Sequence, residues 1–275
     1  MRRVGLGIGL VWFTACAKAA PIVAAAAAPP MDEVLALAWV QASAEHEAAT
    51  LTVYQSAHAA LDRALADTTW SAALEQSDDF SALPPAIVVD VDETVLDNSP
   101  YQVRNLLDGK GFDKATWGAW VAEAHADEVR GAAAFLAAAD ARGVDVFYVS
   151  NREADQVEPT RANLAALGFP DTADAHTFLF RDGTSDKSAR RTAVAATHRV
   201  VLVFGDNLFD FVESPKPDLT ARLAMVHDHQ AWWGTRWFLV PNPLYGSWDD
   251  AIGSYAHPDA ATQHTHRIHA LDARR

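Results

Sequence analysis

The sequence predicts an α/β fold in which a parallel sheet is flanked by helices. Two observations lead to this prediction: short apolar runs of strand length recur along the chain, and segments with helical periodicity separate them. Strands that alternate with helices form parallel sheets with right-handed crossover connections. The predicted strands are residues 86–91, 144–149, 177–180, 200–205 and 237–240.

Helical segments precede and connect these strands. Residues 31–65 contain no glycine or proline and carry apolar side chains at helical spacing, so we expect one or two helices packed beside the sheet. Residues 112–136 are also largely helical and lie between the first two strands. The later connecting helices are predicted at residues 155–167, 185–198 and 218–233.

The amino terminus has the pattern of a secretory signal peptide. Arg2 and Arg3 give it a positive start, residues 4–13 form an apolar run, and small residues follow. The apolar run is too short to span a bilayer. We therefore assign residues 1–15 to a signal peptide and residues 16–30 to an Ala/Pro-rich tether.

Cys16 is the single cysteine of the chain, so an intramolecular disulfide is excluded. Its place at the close of the apolar run is where bacterial lipoproteins are lipidated. The alternative is ordinary cleavage at the A-x-A pattern of Ala15-Cys16-Ala17, and Phe13 stands where leucine is more typical. The sequence thus predicts export, either to the cell envelope as a lipoprotein or as a soluble secreted or periplasmic protein.

Composition limits the partners of the mature chain. Residues 31–256 are long enough for one domain with a sizeable core. The formal net charge is −14, and it becomes −16 when Arg2 and Arg3 leave with the signal peptide. So acidic a surface argues against nucleic-acid polymers and anionic membranes as partners. A homodimer remains an open alternative for its oligomeric state.

Two acidic residues follow the first predicted strand. Asp90 and Asp92 share one face of the extended chain and lie at the carboxyl edge of the sheet, where open α/β folds bind ligands. Two carboxylates this close repel each other unless a positive charge lies nearby. A hard cation such as Mg²⁺ supplies that charge. An isolated Asp-x-Asp is more often only an acidic strand end, so the prediction depends on the later strands.

Three later strands also end at polar residues suited to phosphate chemistry. Ser150 and Asn151 follow the second predicted strand and can donate hydrogen bonds to phosphate oxygens. Lys187 begins the helical segment after the third strand, while Asp206 and Asp210 follow the fourth. Four such motifs in one order are hard to produce by chance, and together they predict a metal-dependent phosphatase.

Each residue type has a role in phosphoryl transfer. Asp90 would attack phosphorus and form an aspartyl-phosphate. Asp92 would donate a proton to the leaving alcohol and later accept one from water. Ser150 and Lys187 would bind the phosphate oxygens. The predicted metal site comprises the Asp90 carboxylate, the Asp92 main-chain carbonyl, Asp206 and, through bound water, Asp210.

Longer strings of sequence resemble the bacterial class C acid phosphatases, a family of haloacid-dehalogenase-like (HAD-like) phosphatases. The strings are 90–101 (DVDETVLDNSPY), 149–152 (VSNR), 186–189 (DKSA), 205–208 (GDNL) with Asp210 and Phe211, and 241–242 (PN) with Tyr245, Gly246 and Trp248. The resemblance implies a Rossmann-like sheet, a small helical insert at about 100–128 over the site, and 5′-nucleotidase activity. Because family members are surface lipoproteins, it also favours lipidation of Cys16, on the outer membrane or the periplasmic face.

The resemblance implies the same catalytic and metal-binding roles and suggests that Trp117 and Tyr245 enclose an aromatic leaving group such as a nucleotide base. The alternative is that these rings only pack: Trp117 and Trp120 have helical spacing, so one of them should be a core residue. Phe209 departs from the family, whose members often carry an acidic residue there. This leaves the spacing of the metal ligands intact but could change metal affinity.

The predicted function is therefore Mg²⁺-dependent hydrolysis of phosphomonoesters, with 5′-mononucleotides favoured. The alternatives are a sugar-phosphate phosphatase or phosphotransferase, and a non-catalytic surface lipoprotein that binds nucleotide, haem or metal. Residues 257–275 form a His-rich tail. Its histidines could bind a transition metal, although a solvated helix is the more common reason for such a pattern. The histidines are His257, His264, His266 and His269. His227 and His229 are expected at the surface.

Overall fold

A five-stranded parallel sheet forms the centre of the computed structural model, which describes residues 31–77 and 79–272. The strands are β1 (Pro85–Val89), β2 (Leu96–Asp97), β3 (Asp127–Glu128), β4 (Asp145–Val149), β5 (Phe178–Leu179), β6 (Arg199–Gly205) and β7 (Trp237–Leu239). The central sheet has the order β5-β4-β1-β6-β7 with every pair parallel, and β2 and β3 form a separate antiparallel pair. The α/β prediction is confirmed, whereas the β2–β3 pair was not predicted.

Ten α-helices surround the sheet in the described part of the chain. They are α1 (Met31–Ala42), α2 (Ala44–Ala66), α3 (Ser99–Asp108), α4 (Lys114–Glu123), α5 (Ala132–Asp140), α6 (Val157–Ala166), α7 (Ser188–Ala195), α8 (Leu219–Asp228), α9 (Ser247–Ile252) and α10 (Ala260–Ala270). Within residues 31–77 and 79–272, none is both long and apolar enough to cross a membrane. The signal peptide, the tether and Cys16 lie outside the described residues.

Two predicted helical segments are shorter or more divided than the sequence pattern indicates. The segment 112–136 is two helices, because α4 ends where Ala124 adopts a left-handed φ of 50° and β3 follows. The segment 218–233 ends at Asp228. His229, expected at the surface, is half-buried: its ring centroid lies 4.8 Å from that of Trp237, and its Nδ1 is 3.0 Å from the Met225 carbonyl.

The core lies on both faces of strands β1 and β6. All seven residues of β6 are buried, as expected for a central parallel strand covered on two sides. On one face Tyr54 of α2 stacks on Phe204 at a centroid distance of 5.3 Å, and its hydroxyl donates a 2.6 Å hydrogen bond to the Thr94 carbonyl. Helix α2 is therefore tied to the loop that follows β1.

The carboxyl edge of the sheet is partly covered by α3, α4 and the β2–β3 pair, which occupy the region of the predicted insert. Asp113 caps the start of helix α4, and its side chain accepts hydrogen bonds from the backbone N–H groups of Ala115 and Thr116. Trp120 is the buried aromatic residue of this helix, and Trp117 is half-buried. Trp120 is therefore the core residue that was expected among the two.

Candidate active site

The loops after β1, β4 and β6 bring the predicted catalytic residues to one edge of the sheet. Asp90 directly follows β1, and its backbone N–H donates to the Phe204 carbonyl at 3.0 Å. Ser150 directly follows β4 and is fully buried. Asp206 directly follows β6. Because these parallel strands are neighbours, polar residues more than a hundred positions apart in sequence become adjacent in space.

Lys187 lies between two of the predicted carboxylates. Its Nζ is 2.5 Å from Oδ1 of Asp90 and 2.6 Å from Oδ1 of Asp210, and all three residues are buried. Burial alone would lower the pKa of Lys187, but the two carboxylates raise it. The ammonium group is therefore held charged at the centre of the site.

Asp90, Asp206 and Asp210 can share a metal ion. Their carboxylate oxygens lie within 4.8 Å of one another, and no other group of described residues meets the same criterion, the tail histidines included. Burial raises the pKa of Asp90 to about 7, against the effect of Lys187, and also raises the pKa of Asp206. Asp90 and Asp210 are buried and Asp206 is half-buried, and one ammonium group does not balance three carboxylates. Their oxygen ligands suit a hard divalent cation. The residues therefore fit a divalent metal ion.

Two neighbours fix the orientation of these carboxylates. The Asn242 side chain donates a 2.7 Å hydrogen bond to Oδ2 of Asp206, and the backbone N–H of Asn207 donates to Oδ2 of Asp210 at 2.8 Å. The carboxylate of Asp210 lies against the α-carbon of Gly205, with no room for a Cβ. Asp206 thus has one oxygen held by the protein, and Asp210 has both, since Lys187 binds its Oδ1.

Asp92 lies beside this cluster and has different partners. Its Oδ1 accepts hydrogen bonds from Nε and Nη2 of Arg152, at 3.0 and 2.8 Å, and from Nδ2 of Asn98 at 2.9 Å. The Asp92 side chain is partly exposed, whereas Asn98 and Arg152 are buried. Its carboxylate is not part of the cluster formed by Asp90, Asp206 and Asp210.

Glu93 is a further buried carboxyl group of the loop after β1. Its backbone adopts a left-handed φ of 54°, which is uncommon for a residue other than glycine. Its oxygens accept hydrogen bonds from the Tyr245 hydroxyl and, at 2.9 Å, from the backbone N–H of Asn98. Burial and the charge of Asp92 raise the pKa of Glu93 to about 8. The pair with Tyr245 links the catalytic loop to the loop that follows β7.

The two predicted phosphate-binding residues after β4 have different positions. Oγ of Ser150 accepts the backbone N–H of Arg152 at 3.1 Å, inside the site. The side chain of Asn151 is exposed, and its Oδ1 accepts a 2.7 Å hydrogen bond from Arg190. Arg190 also donates to the Ser150 carbonyl at 2.5 Å. The structure therefore pairs the Asn151 side chain with Arg190.

The predicted aromatic pair lies on the two sides of this polar network. The Trp117 ring centroid is 5.4 Å from Cζ of Arg152 and 5.2 Å from the Tyr101 ring centroid. Trp120 instead donates its indole N–H to Oδ1 of Asn98 at 2.8 Å. Tyr245 is half-buried and bound to Glu93. Trp117 thus contacts Arg152, which binds Asp92, and Tyr245 contacts Glu93, which follows Asp92 in the chain.

Sequence reasoning did not assign a role to four of the residues in this network. They are Glu93, Asn98, Arg152 and Arg190. The available signal was their position, because the first three belong to the strings 90–101 and 149–152 that directly follow strands. Their partners could not be read from spacing, since Arg152 and Asp92 are 60 residues apart.

Comparison with known proteins agrees with this geometry. The model of the family described as "HAD superfamily, subfamily IIIB (Acid phosphatase)" matches residues 14–248. The chain is similar to the class C acid phosphatase from Bacillus anthracis, at 34% identity over 88% of this chain and 97% of that chain. The TM-score is 0.79 for its tungstate-bound structure and 0.78 for a second structure of that enzyme. The predicted family and enzyme class are confirmed: the chain belongs to the acid phosphatases of HAD subfamily IIIB and is a phosphoric monoester hydrolase.

Proposed function

We propose that this acid phosphatase depends on Mg²⁺, acts through an aspartyl-phosphate on Asp90, and favours 5′-mononucleotides. The observation that carries the proposal is the position of Lys187, whose Nζ contacts both Asp90 and Asp210. One ammonium group is thereby placed where a phosphate dianion must approach the nucleophile. A divalent cation held by Asp90, Asp206, Asp210 and the Asp92 carbonyl would supply further positive charge to the phosphate oxygens.

Asp90 is suited to nucleophilic attack. Lys187 binds its Oδ1, which leaves Oδ2 to form the bond to phosphorus as the bond to the ester oxygen breaks. The leaving alkoxide takes a proton from Asp92. Water then attacks the aspartyl-phosphate, Asp92 accepts a proton from that water, and Asp90 and inorganic phosphate are released. The requirement for a protonated Asp92 in the first step supports an acidic pH preference.

The phosphate group would be bound by Lys187, by the hydroxyl of Ser150 and by backbone N–H groups of the loop after Asp90. Ser150 is buried at the end of β4, and its Oγ already accepts one hydrogen bond, so its own hydrogen is available to an anion. The similar enzyme from Bacillus anthracis has tungstate bound in one structure. Tungstate is a tetrahedral oxyanion like phosphate, which supports an oxyanion site in this chain too.

The leaving group would lie between Trp117 and Tyr245. Both rings border the network around Asp92, from which the leaving oxygen receives its proton. Stacking on an aromatic side chain is favourable for any nucleobase, by about 1–3 kcal/mol per base. This supports 5′-mononucleotides as substrates without selecting one base.

The proposal is tested by phosphate release from a 5′-mononucleotide and from p-nitrophenyl phosphate, with and without chelator. Asp90→Asn should abolish turnover of both substrates, while Asp79→Asn, which changes an exposed carboxylate, should leave it unchanged. Mass spectrometry of acid-quenched wild-type enzyme should detect phosphate on the peptide that contains Asp90. Turnover that survives both the chelator and Asp90→Asn would refute the mechanism.

We also propose that the protein is exported and anchored by lipid at Cys16. The support is the order of the positive start, the apolar run and the single cysteine at its close. Membrane contact is confined to this anchor, and the acidic protein itself acts on small phosphomonoesters rather than on nucleic-acid polymers.

A further inference from the structure

Three hydrogen-bond donors converge on one oxygen of Asp92. Nε and Nη2 of Arg152 and Nδ2 of Asn98 all lie within 3.0 Å of Oδ1. Oδ2 has no hydrogen-bond partner among residues 31–77 and 79–272, and the side chain is partly exposed. The two oxygens of this carboxylate therefore have different surroundings: Oδ1 accepts three hydrogen bonds, and Oδ2 accepts none from the described residues.

The orientation of the Asn98 amide follows from its other neighbour. Oδ1 of Asn98 lies 2.8 Å from the indole nitrogen of Trp120, which can only donate a hydrogen bond. The amide oxygen must therefore face Trp120, and the amide NH₂ must face Asp92. Asn98 is fully buried, so water cannot substitute for either partner.

Arg152 is held in place from its far side. Its Nη1 donates a 2.8 Å hydrogen bond to Oγ1 of Thr160, whose own hydroxyl donates to the Gln156 carbonyl at 2.7 Å. The Trp117 ring lies 5.4 Å from its Cζ. The guanidinium has therefore little freedom to leave Asp92, and both groups that hold Oδ1 are anchored by helices α4 and α6.

We propose that Asn98 and Arg152 are positioning residues that hold Asp92 by Oδ1, so that Oδ2 is the atom that exchanges the catalytic proton. The inference rests on the proposed function. In the first step the O–H bond at Oδ2 breaks and the proton moves to the leaving alkoxide. In the second, Oδ2 accepts a proton from the attacking water. Oδ1 keeps the same three donors in both states, so the carboxyl group does not rotate between steps.

This arrangement predicts a dependence on the leaving group. An alkyl phosphate releases a strongly basic alkoxide and needs the proton, whereas p-nitrophenolate leaves without it. The parameter kcat/KM reports the first step, in which the alcohol departs, when that step is irreversible. Loss of positioning should therefore lower kcat/KM for alkyl phosphates much more than for p-nitrophenyl phosphate. General acid catalysis contributes about 10²–10⁴-fold, so the alkyl loss should approach a hundredfold.

The experiment compares Asn98→Ala, Arg152→Lys and Trp120→Phe on p-nitrophenyl phosphate and a matched series of alkyl phosphates. Asn98→Ala removes one donor to Oδ1, and Arg152→Lys keeps the charge but loses the two-pronged contact. Trp120→Phe leaves both donors to Oδ1 in place and removes the N–H that orients Asn98, together with part of a buried ring, so it should give a smaller effect in the same direction. Inhibition by tungstate should stay near the wild-type value in all three, because the oxyanion site is not changed.

Equal losses on aryl and alkyl phosphates would overturn the inference and leave Asn98 and Arg152 as structural residues. If Asn98→Ala does not fold, Trp120→Phe and Arg152→Lys carry the test. Failure of the proposed function gives a different result, since Asp90→Asn would then retain activity on every substrate. A selective alkyl loss together with an inactive Asp90→Asn supports both.

Discussion

The α-carbon of Gly205 lies against the carboxylate of Asp210, so closely that a methyl group on Gly205 would overlap the Asp210 side chain. The backbone at Gly205 is not left-handed, so glycine is required there by space and not by conformation. Gly205 is the last residue of β6, and Asp210 also contacts Lys187. A backbone position in the sheet therefore sets the place of a catalytic-site carboxylate.

We expect Gly205→Ala to displace Asp210 and with it Lys187. A displacement of about 1 Å at a catalytic group can cost on the order of a hundredfold in rate, and kcat/KM should fall by about that factor. Gly111→Ala is the control, because Gly111 has open space around it and no left-handed φ. Steady-state kinetics, with circular dichroism as a check on folding, measures the effect. Equal activity in the two variants would contradict this role for Gly205.

Lys187→Met should be strongly destabilising, because it leaves Asp90 and Asp210 buried without their common partner. Breaking a buried ion pair on one side costs about 3–5 kcal/mol in the free energy of unfolding. Lys110→Met, which removes an exposed lysine paired with Asp108, should cost about 1 kcal/mol or less. Urea unfolding of the metal-free proteins at neutral pH compares them. Similar urea midpoints for the two variants would show that the charge of Lys187 does not stabilise the fold.

The stability of the metal-free protein should decrease as the pH rises from about 4 to about 8. Burial raises the pKa of Asp90 to about 7 and that of Glu93 to about 8, whereas unfolded carboxyl groups titrate near pH 4. In this window the folded chain holds more protons than the unfolded chain, so a rise in pH favours unfolding.

Mg²⁺ should oppose this loss, because it binds ionised carboxylates. The increase in Tm that Mg²⁺ causes should therefore be larger at pH 8 than at pH 5. Asp206→Asn, which removes one ligand, should reduce the increase at both values. Thermal unfolding in chelator and in Mg²⁺ provides the measurement, and an increase that does not depend on pH would argue against the carboxylate cluster as the binding site.

Two substitutions of Tyr245 separate stacking from its bond to Glu93. Tyr245→Phe keeps the ring, so the preference for a 5′-mononucleotide over a small alkyl phosphate should remain. Tyr245→Ala removes the ring and should reduce that preference by about tenfold or more, given the usual strength of base stacking. The ratio of the two kcat/KM values is the readout. Equal losses on both substrates in Tyr245→Ala would leave the residue with a packing role.

Cys16→Ser should release the protein from the membrane fraction of the expressing cell, because a serine cannot receive the thioether-linked lipid. Export itself should continue, since the positive start and the apolar run are unchanged. Immunoblots of membrane and soluble fractions compare the variant with the wild type. Unchanged partitioning would refute lipid attachment at this residue.

The sheet and the residues at its edge were predictable because both depend on local patterns. Strands β1 and β6 are apolar runs that end just before Asp90 and Asp206. Because the two strands pair in parallel, the residues that follow them lie close together. The place of Lys187 followed from its position after a strand and before a helix. In each case the predicted site residue follows a strand that the sequence pattern already indicates.

The network around Asp92 was not predictable, because it depends on contacts between distant segments. Arg152 was read only as part of a motif, and nothing in its neighbourhood indicates that it binds Asp92, 60 residues earlier. Likewise, the sequence around Asn98 indicates only a turn, and the contact with Trp120 that orients its amide is seen only in the structure. The end of α4 was not predictable either. The helix stops where Ala124 adopts a left-handed conformation, although alanine favours helix and rarely adopts that conformation.

The hydrogen bond from Tyr54 to the Thr94 carbonyl has a practical consequence for anyone who shortens this protein. A recombinant version cut back to the first strand would lose the ring that stacks on Phe204 and the hydroxyl that binds the loop after Asp90, the proposed nucleophile. We expect such a truncation to expose apolar side chains of the core and to lose activity. Expression vectors should therefore start upstream of α1 and keep both leading helices.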